Sequence, residues 1–172
     1  MSHSIAPLTF ALAVALFACS PDTETVHRSG EPDVVFFEHD DPDMAAAIQD
    51  ARTSFPAFQA KLGELRARGD YYSIKVPIDA ESDTEHVWLE GAEILDGRVR
   101  GKLGNTPVTG THKLGEEVSV AIGDISDWMA VVGGELYGGY TVIVARERMS
   151  EEERAEFDRS FDVRVPATAR VF

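Results

Sequence analysis

The chain has little cysteine and little positive charge. Its single cysteine, Cys19, excludes an internal disulfide. Only 16 Lys and Arg residues stand against 30 Asp and Glu, which gives a formal net charge of −14. A phosphate backbone and an anionic lipid surface both require clustered positive charge, so nucleic-acid binding and a polybasic membrane contact are excluded. Because hydrophobic residues make up 44% of the chain, a globular core is expected.

Long apolar runs are also absent, apart from one near the N-terminus. That run ends at Leu16-Phe17-Ala18-Cys19 and is too short to cross a bilayer comfortably, which is typical of a signal peptide. These four residues resemble the bacterial lipobox, in which the cysteine is lipidated and becomes the new N-terminus. We therefore predict a signal peptide over residues 1–18 and a lipid anchor on Cys19, holding the protein in the cell envelope on the periplasmic side.

Ser20 stands where an inner-membrane retention signal often places Asp, which favours the outer membrane. Two alternatives to the lipid anchor stay open. A plain secretory signal would leave the protein soluble in the periplasm or outside the cell. An apolar start on a cytosolic protein would leave it inside the cell.

The segment after the cysteine is polar, acidic and interrupted by Pro and Gly, so residues 19–40 are predicted to be a flexible tether. Its apolar exception, Val34–Phe37, is expected to form a short strand or to anchor the tether. A single domain is predicted over residues 41–165, followed by a C-terminal tail over 166–172.

A long amphipathic helix is predicted at the start of the domain. Asp41 is placed as the N-cap and Pro42 at the first helical position, and Gly69 ends the helix. Pro56 predicts either a kink or two abutting helices. Apolar residues recur at steps of three and four and form a core face: Ile48, Ala51, Phe55, Phe58, Leu62 and Leu65.

The rest of the domain is predicted to be mainly β-structure. Asp96-Gly97 predicts a tight hairpin, Gly133-Gly134 a second one, and Ser150 with Glu153 a capping box that opens a short helix. The predicted strands are Ser73–Ile78, His86–Leu95, Arg98–Leu103, Val118–Ile122, Tyr140–Ala145 as the central strand, and Phe161–Val165.

The predicted fold class is α+β. An N-terminal kinked helix or helical pair packs on a bent, mostly antiparallel sheet of five to six strands, and a short helix lies near the C-terminus. An SH3-like half-barrel is one form that such a bent sheet could take, since the many glycines mark bends and bulges.

Several short motifs in a fixed order resemble one bacterial family, domain-of-unknown-function family 2314 (YegJ-like). They are Tyr72-Ser-Ile-Lys-Val-Pro77, Glu85-His-Val-Trp88, Gly101-Lys-Leu-Gly-Asn-Thr-Pro107, Leu114-Gly-Glu-Glu-Val118, Asp124-Ile-Ser-Asp-Trp128 and Gly138-Gly-Tyr-Thr141. The resemblance covers roughly residues 42 to 146. It implies a small α+β domain in proteins that are often secreted or lipid-anchored, and it implies no established activity.

Three residues are candidates for a catalytic centre. Asp124 and Asp127 would share a face of a helical turn, where paired carboxylates can divide acid and base roles. His86 could pair with either of them across space. The structural alternative is that Asp124 caps the helical turn, Asp127 faces its exposed amides, and His86 is hydrogen-bonded within the fold.

No metal or other cofactor is predicted. The hard ligands of Glu38-His39-Asp40-Asp41 and Asp43 lack EF-hand spacing and a zinc-type pair, and they are interpreted as a solvated helix entry. The glycine pairs are not followed by Gly-Lys-Ser/Thr, so they are interpreted as a turn and a bulge rather than a phosphate loop.

Three functional interpretations stay open. The first is an envelope lipoprotein whose non-catalytic domain binds a protein or peptide through aromatic side chains, namely Trp88, Trp128, Tyr137 and Tyr140. Core packing is the alternative role for Trp88 and Tyr140. The second is an enzyme acting on envelope material with His86, Asp124 and Asp127 at its centre. The third is an acidic inhibitor or immunity-type protein that meets a basic enzyme.

Overall fold

The structure is a computed structural model that describes residues 41–79, 84–108, 112–161 and 163–172, together with the backbone of three N-terminal strands. The elements in chain order are β1 (Ala13–Phe17), β2 (Thr25–Val26), β3 (Val34–Glu38), α1 (Pro42–Arg68), β4 (Tyr71–Asp79), β5 (Thr84–Leu95), β6 (Arg98–Leu103), β7 (Glu117–Ala121), β8 (Asp127–Val132), β9 (Glu135–Gly138), α2 (Tyr140–Arg148) and α3 (Glu151–Phe161). The predicted lipidation residue, Cys19, lies outside the described residues.

Helix α1 begins and ends where its sequence predicts. The Asp41 carboxylate accepts hydrogen bonds from the backbone N–H groups of Asp43 and Met44, at 3.0 and 2.9 Å. Gly69 closes the helix in the left-handed conformation, with φ of 72°. Pro56 lies inside one continuous helix of 27 residues, so the single helix is found rather than a pair.

The domain is built on an open sheet of six antiparallel strands in the order β7-β6-β5-β4-β8-β9. The predicted hairpin between β5 and β6 is confirmed, because Asp96 and Gly97 both have positive φ, at 50° and 72°, as a two-residue turn requires. A register shift between Glu90 and Glu93 marks a bulge in β5. The α+β class is therefore confirmed.

The two faces of the sheet bury two hydrophobic clusters. Val87 and Leu89 of β5 point to the cluster built with α1, which includes Phe58, Leu65 and Trp128. Trp88, between them in sequence, points the other way into a cluster with residues of α2 and α3 and with Met44 at the start of α1. The alternation of the strand assigns neighbouring residues to opposite clusters.

The predicted central strand Tyr140–Ala145 is wrong, because this segment forms helix α2. Its β-branched run favours a strand locally. The segment nevertheless begins directly after Gly138 and Gly139, and a buried carboxylate accepts hydrogen bonds from its first amides. A Cβ on Gly138 would stand 2.2 Å from the Trp128 carbonyl oxygen, so this close approach requires glycine.

Two further local predictions are wrong and one is confirmed. Asp124 and Asp127 do not share a helical turn, since a short 3-10 helix covers Ile122–Asp124 and Asp127 begins strand β8. Phe161–Val165 is not a strand, because Phe161 ends α3 and only Arg164 bridges to Glu135. The capping box before α3 is confirmed by the mutual hydrogen bonds of Ser150 and Glu153.

Candidate functional site

Asp127 is the centre of a buried polar cluster. It is the first residue of β8 and is fully buried. Its carboxylate accepts four hydrogen bonds, from the backbone N–H groups of Trp128, Tyr140 and Thr141 and from the Thr141 hydroxyl, at 2.7 to 3.2 Å. Two of these amides are the first of α2, so Asp127 caps that helix from a neighbouring strand.

Lys75 completes the cluster from the adjacent strand. It stands opposite both Asp127 on β8 and Trp88 on β5, and only 1% of its surface is exposed. Its ammonium group donates to the Thr141 hydroxyl oxygen at 3.2 Å and lies 5.4 Å from the centre of the Trp88 ring. Lys75, Asp127 and Thr141 are named the buried polar cluster below.

Burial dominates the titration of this cluster. It lowers the pKa of Lys75 to about 8, and the negative charge of Asp127 opposes that shift. Burial also raises the pKa of Asp127, against the Thr141 hydrogen bonds and the charge of Lys75. Four donors directed at one carboxylate suit its ionised form, since a protonated acid would place a fifth donor among them.

The chemical role of the buried polar cluster is structural in this conformation. Its three side chains are each at most 1% exposed, so none of them can touch a substrate in solution. The cluster instead fixes the first turn of α2 against β4 and β8. The sequence analysis did not single out Lys75 and Thr141. The available signal was a charged residue in the middle of an apolar strand. The structure pairs that strand on both sides.

The three residues proposed as a catalytic centre do not come together. The His86 Nδ1 atom is in hydrogen-bond contact with the Ser126 hydroxyl. Asp127 accepts only from its own strand and from α2, and Asp124 is exposed at the end of the 3-10 helix, where its carbonyl oxygen lies 3.5 Å from Arg52. His86 is hydrogen-bonded within the fold, which is its structural alternative. Asp127 caps α2 rather than the helical turn that was predicted at Asp124.

The four aromatic residues proposed as contacts divide into two pairs. Trp88 and Trp128 are fully buried, and the Trp128 indole N–H lies within hydrogen-bond distance of the Ala51 carbonyl oxygen and the Ser54 hydroxyl. Both indoles are therefore core residues rather than surface contacts. Tyr137 and Tyr140 are half-buried. Tyr137 stacks on Phe172 with ring centres 4.6 Å apart, and Tyr140 meets the edge of Trp128 at 6.1 Å.

A second polar site, which the sequence analysis treated as a plain loop, lies beside strand β5. Glu85 is 1% exposed, and both of its carboxylate oxygens lie 3.0 Å from the backbone N–H of Val108. Asn105, in the same loop, is 2% exposed, and neither polar atom of its carboxamide has a hydrogen-bond partner among the described residues. Buried polar groups without partners are uncommon and need an explanation.

This loop adjoins a segment of β5 named here the β5 edge, which comprises Glu85 and His86. On one side these residues pair with Ile78 and Pro77 of β4. On the other side β6 has already left β5, since their pairing ends at Leu89. Strand β1 fills the vacated side, pairing Val14 with His86 and Ala15 with Glu85. On this side, the backbone of the β5 edge is therefore paired with β1, a strand from outside the compact domain.

The class of protein follows from these features. It has an α+β fold with helices packed on a six-stranded antiparallel sheet, and the buried carboxylate of Asp127 caps one helix beside the buried Lys75. The profile of a family of uncharacterized proteins conserved in bacteria, DUF2314, matches residues 41–163. The chain belongs to this family, and the predicted family membership is confirmed.

Two relatives carry related sequences. One is the Neisseria meningitidis serogroup B protein NMB1133/NMB1171, provisionally named an ankyrin repeat protein, with 33% identity over 143 residues. That match covers 78% of this chain and 56% of the relative, so the chain spans little more than half of its length. The other is the Escherichia coli K12 protein YegJ, named as uncharacterized, with 34% identity over 105 residues, or 60% of this chain and 67% of YegJ.

No solved structure matches the chain at a significant level. Within the described ranges, no helix is long and apolar enough to cross a membrane. The same ranges hold no group of three or more His, Cys, Asp or Glu side chains arranged to bind a metal ion. His39 and Asp40 of the acidic helix entry lie outside them.

Proposed function

We propose that this protein is an envelope lipoprotein whose domain binds an extended peptide as an added strand at the β5 edge. The observation that carries the proposal is the pairing of β1 with Glu85 and His86. Strand β1 lies outside residues 41–163, which the family profile matches. In the described part of the chain, β1 is the strand that pairs with this side of the β5 edge, so exchange of β1 for another extended segment would be strand addition.

Processing of the leader would open the edge in the mature protein. Strand β1 lies within the proposed signal peptide, residues 1–18, and ends two residues before Cys19. Cleavage before Cys19 would remove β1 and leave a lipid on the new N-terminus. The side of the β5 edge that pairs with β1 would then be able to accept another strand.

The chemistry of β1 indicates the kind of peptide that fits. Its sequence, Ala-Val-Ala-Leu-Phe, is uncharged, apolar and free of proline. Main-chain hydrogen bonds would supply most of the affinity, and alternate side chains would supply specificity. Outside the paired stretch, the net charge of −14 favours a peptide with basic flanking residues. Attraction between these opposite charges would accelerate binding of the peptide at low salt.

A peptide-binding role fits the geometry better than catalysis does. His86, Asp124 and Asp127 do not converge, and the buried polar cluster has no access to solvent. The role also differs from the aromatic surface first considered, since Trp88 and Trp128 are in the core. The proposed contact is the backbone of β5 rather than an aromatic patch.

Peptide binding can be tested with the full-length chain. A variant named the opened chain carries Val14→Pro and Ala15→Pro. Successive N–H groups of a strand point to opposite sides, so the two prolines remove one donor on each side of β1. The ligand is a labelled peptide of residues 11–18, named the leader peptide. We expect the opened chain to bind it, and the unsubstituted chain to bind it at least about tenfold more weakly by fluorescence anisotropy, because its own β1 competes.

A matched peptide provides the control. The leader peptide with the same two proline substitutions has almost the same apolar character but cannot complete a strand ladder. Equal binding of the two peptides to the opened chain would contradict strand addition and indicate non-specific apolar contact. Equal binding of the leader peptide to both chains would place its site away from the β5 edge.

The lipid anchor is tested separately in bacteria that express the full-length protein. Cys19→Ala should abolish incorporation of a labelled fatty acid and leave the leader uncleaved on a gel. Ser20→Ala, beside it, should label normally. Labelling of the Cys19→Ala protein at the normal level would contradict the proposed anchor.

A further inference from the structure

Asn105 stands out as a buried polar side chain whose bonding capacity is unused. Its carboxamide offers two N–H donors and one oxygen acceptor. The residue is 2% exposed, and neither the Nδ2 nor the Oδ1 atom has a hydrogen-bond partner in the described part of the chain. Such a group destabilises the free chain, because burial separates it from bulk solvent without supplying a protein partner. A ligand that supplies the missing partners would recover that loss on binding.

The strand register places Asn105 at one end of the β5 edge. Strand β6 pairs with β5 as far as Leu103 opposite Leu89, and the Gly104 N–H still donates to the Trp88 carbonyl oxygen at 2.9 Å. Strand β1 then begins, with Val14 opposite His86. Both strands run antiparallel to β5, so β1 continues the line of β6. Asn105 is the first residue after β6 leaves that line.

The loop that carries Asn105 is held on both sides. Gly104 is packed so closely that an added Cβ would stand 2.9 Å from the Cγ atom of Glu90. Three residues beyond Asn105, the backbone N–H of Val108 is tied to the buried Glu85 carboxylate. These restraints keep the carboxamide at the junction and oppose its movement into solvent, so it is preorganised for a ligand.

The geometry points to Asn105 as a specificity-determining residue that binds an amide group of the incoming peptide. The inference rests on the proposed peptide-binding function. An amide pairs one donor and one acceptor, and that pair complements the free carboxamide. Continuing the β1 register brings Ala13 opposite Val87, which makes position 13 the one nearest to the junction. Since the main chain of β1 occupies this register without bonding Asn105, the amide comes from an Asn or Gln side chain at that position.

The leader itself fills the edge without satisfying Asn105. With β1 paired to β5, the carboxamide makes no hydrogen bond within the ranges that the structure describes. Alanine at position 13 offers no polar side chain. A ligand that bonds Asn105 therefore gains an interaction that the leader lacks, and it would discriminate between the true partner and the chain's own leader.

The test compares the opened chain with the same chain carrying Asn105→Leu, a substitution of similar size that removes both polar atoms. Three peptides are titrated: the leader peptide, its Ala13→Asn form and its Ala13→Leu form. The Ala13→Asn peptide should bind the opened chain about tenfold more tightly than the Ala13→Leu peptide, and Asn105→Leu should remove that preference. The leader peptide and its Ala13→Leu form offer no side-chain amide, so Asn105→Leu should leave their affinities unchanged. Val108→Ala in the same loop retains the N–H that Glu85 accepts and should change no affinity.

Thermal unfolding of the free chain gives a second readout. In it, Asn105→Leu is expected to increase stability, whereas in the titrations it is expected to weaken binding of the Ala13→Asn peptide. Asn105→Leu should raise the Tm of the free chain by about 2–4 °C, since it replaces an unpartnered buried amide by an apolar group. Unchanged affinities for all three peptides, with or without a fall in Tm, would overturn the inference and leave peptide binding intact. Failure of every peptide to bind the opened chain would overturn the proposed function, and this inference with it.

Discussion

The two faces of the sheet obtain their stability in different ways. The face against α1 is apolar, and Phe58 stacks on Trp128 with ring centres 4.9 Å apart. The opposite face holds Trp88 and Met129 but also the buried polar cluster. The first face depends mainly on apolar area and shape, supported by the Trp128 hydrogen bonds to α1. The second depends on charge and hydrogen bonds, so pH and single polar substitutions should distinguish the two.

The largest effect is expected from Asp127→Ala. The substitution leaves the buried Lys75 charge without its anion and the first amides of α2 without their acceptor. Removal of one member of a buried charge pair costs about 3–5 kcal/mol in unfolding free energy. Urea unfolding at pH 7 measures the loss, and amide exchange in Tyr140–Arg148 should accelerate beyond the rest of the domain.

Leu65→Ala on the α1 face is the matched control. Leu65 is fully buried among apolar side chains, so its truncation should cost about 3 kcal/mol through lost burial and a cavity. It should accelerate amide exchange in α2 no more than the global loss of stability requires. A cost below about 1 kcal/mol for Asp127→Ala would mean that the buried polar cluster does not hold α2 in place.

A smaller effect at neutral pH, with a clear pH signature, is expected from Lys75→Met. Burial lowers the folded pKa of Lys75 from 10.5 to about 8. The unfolded chain therefore binds more protons between these two values, and stability rises with pH across that window. Methionine removes this rise. At pH 7 it also leaves the Asp127 carboxylate without its cation, but the four hydrogen bonds to that carboxylate remain, so the variant should lose about 2 kcal/mol, less than Asp127→Ala.

Urea midpoints between pH 7.5 and pH 10 measure this difference. Leu65→Ala should retain the rise with pH, since its effect is apolar. An identical pH slope in Lys75→Met and in the natural chain would contradict the buried titration of Lys75. The faces would then differ in composition but not in the source of their stability.

The features that were predictable from sequence are encoded within a few neighbouring residues. Asp41 reaches the amides of Asp43 and Met44, and Ser150 exchanges hydrogen bonds with Glu153. Asp96-Gly97 supplies the positive φ angles of its own turn. Each of these groups finds its partner within three residues, so the local pattern is sufficient to predict it.

The errors fall where a distant partner overrides local preference. Tyr140–Ala145 has the composition of a strand, yet Asp127, thirteen residues earlier, accepts the N–H of Tyr140 and favours a helix there. The three candidate catalytic residues, His86, Asp124 and Asp127, have separate partners for the same reason. Asp127 is committed to Thr141 and Lys75, and no spacing in the sequence predicts a partner on another strand.

By itself, the sequence determined the family, the α+β class, the start and end of α1 and the hairpin that joins β5 to β6. These follow from motifs, periodicity and turn residues, which act over short separations. Only the tertiary structure decided that Lys75 and Asp127 meet in the core, that α2 is a helix, and that Asn105 is buried beside an edge that pairs with β1. Those outcomes depend on strand register and burial, which bring together residues far apart in the chain.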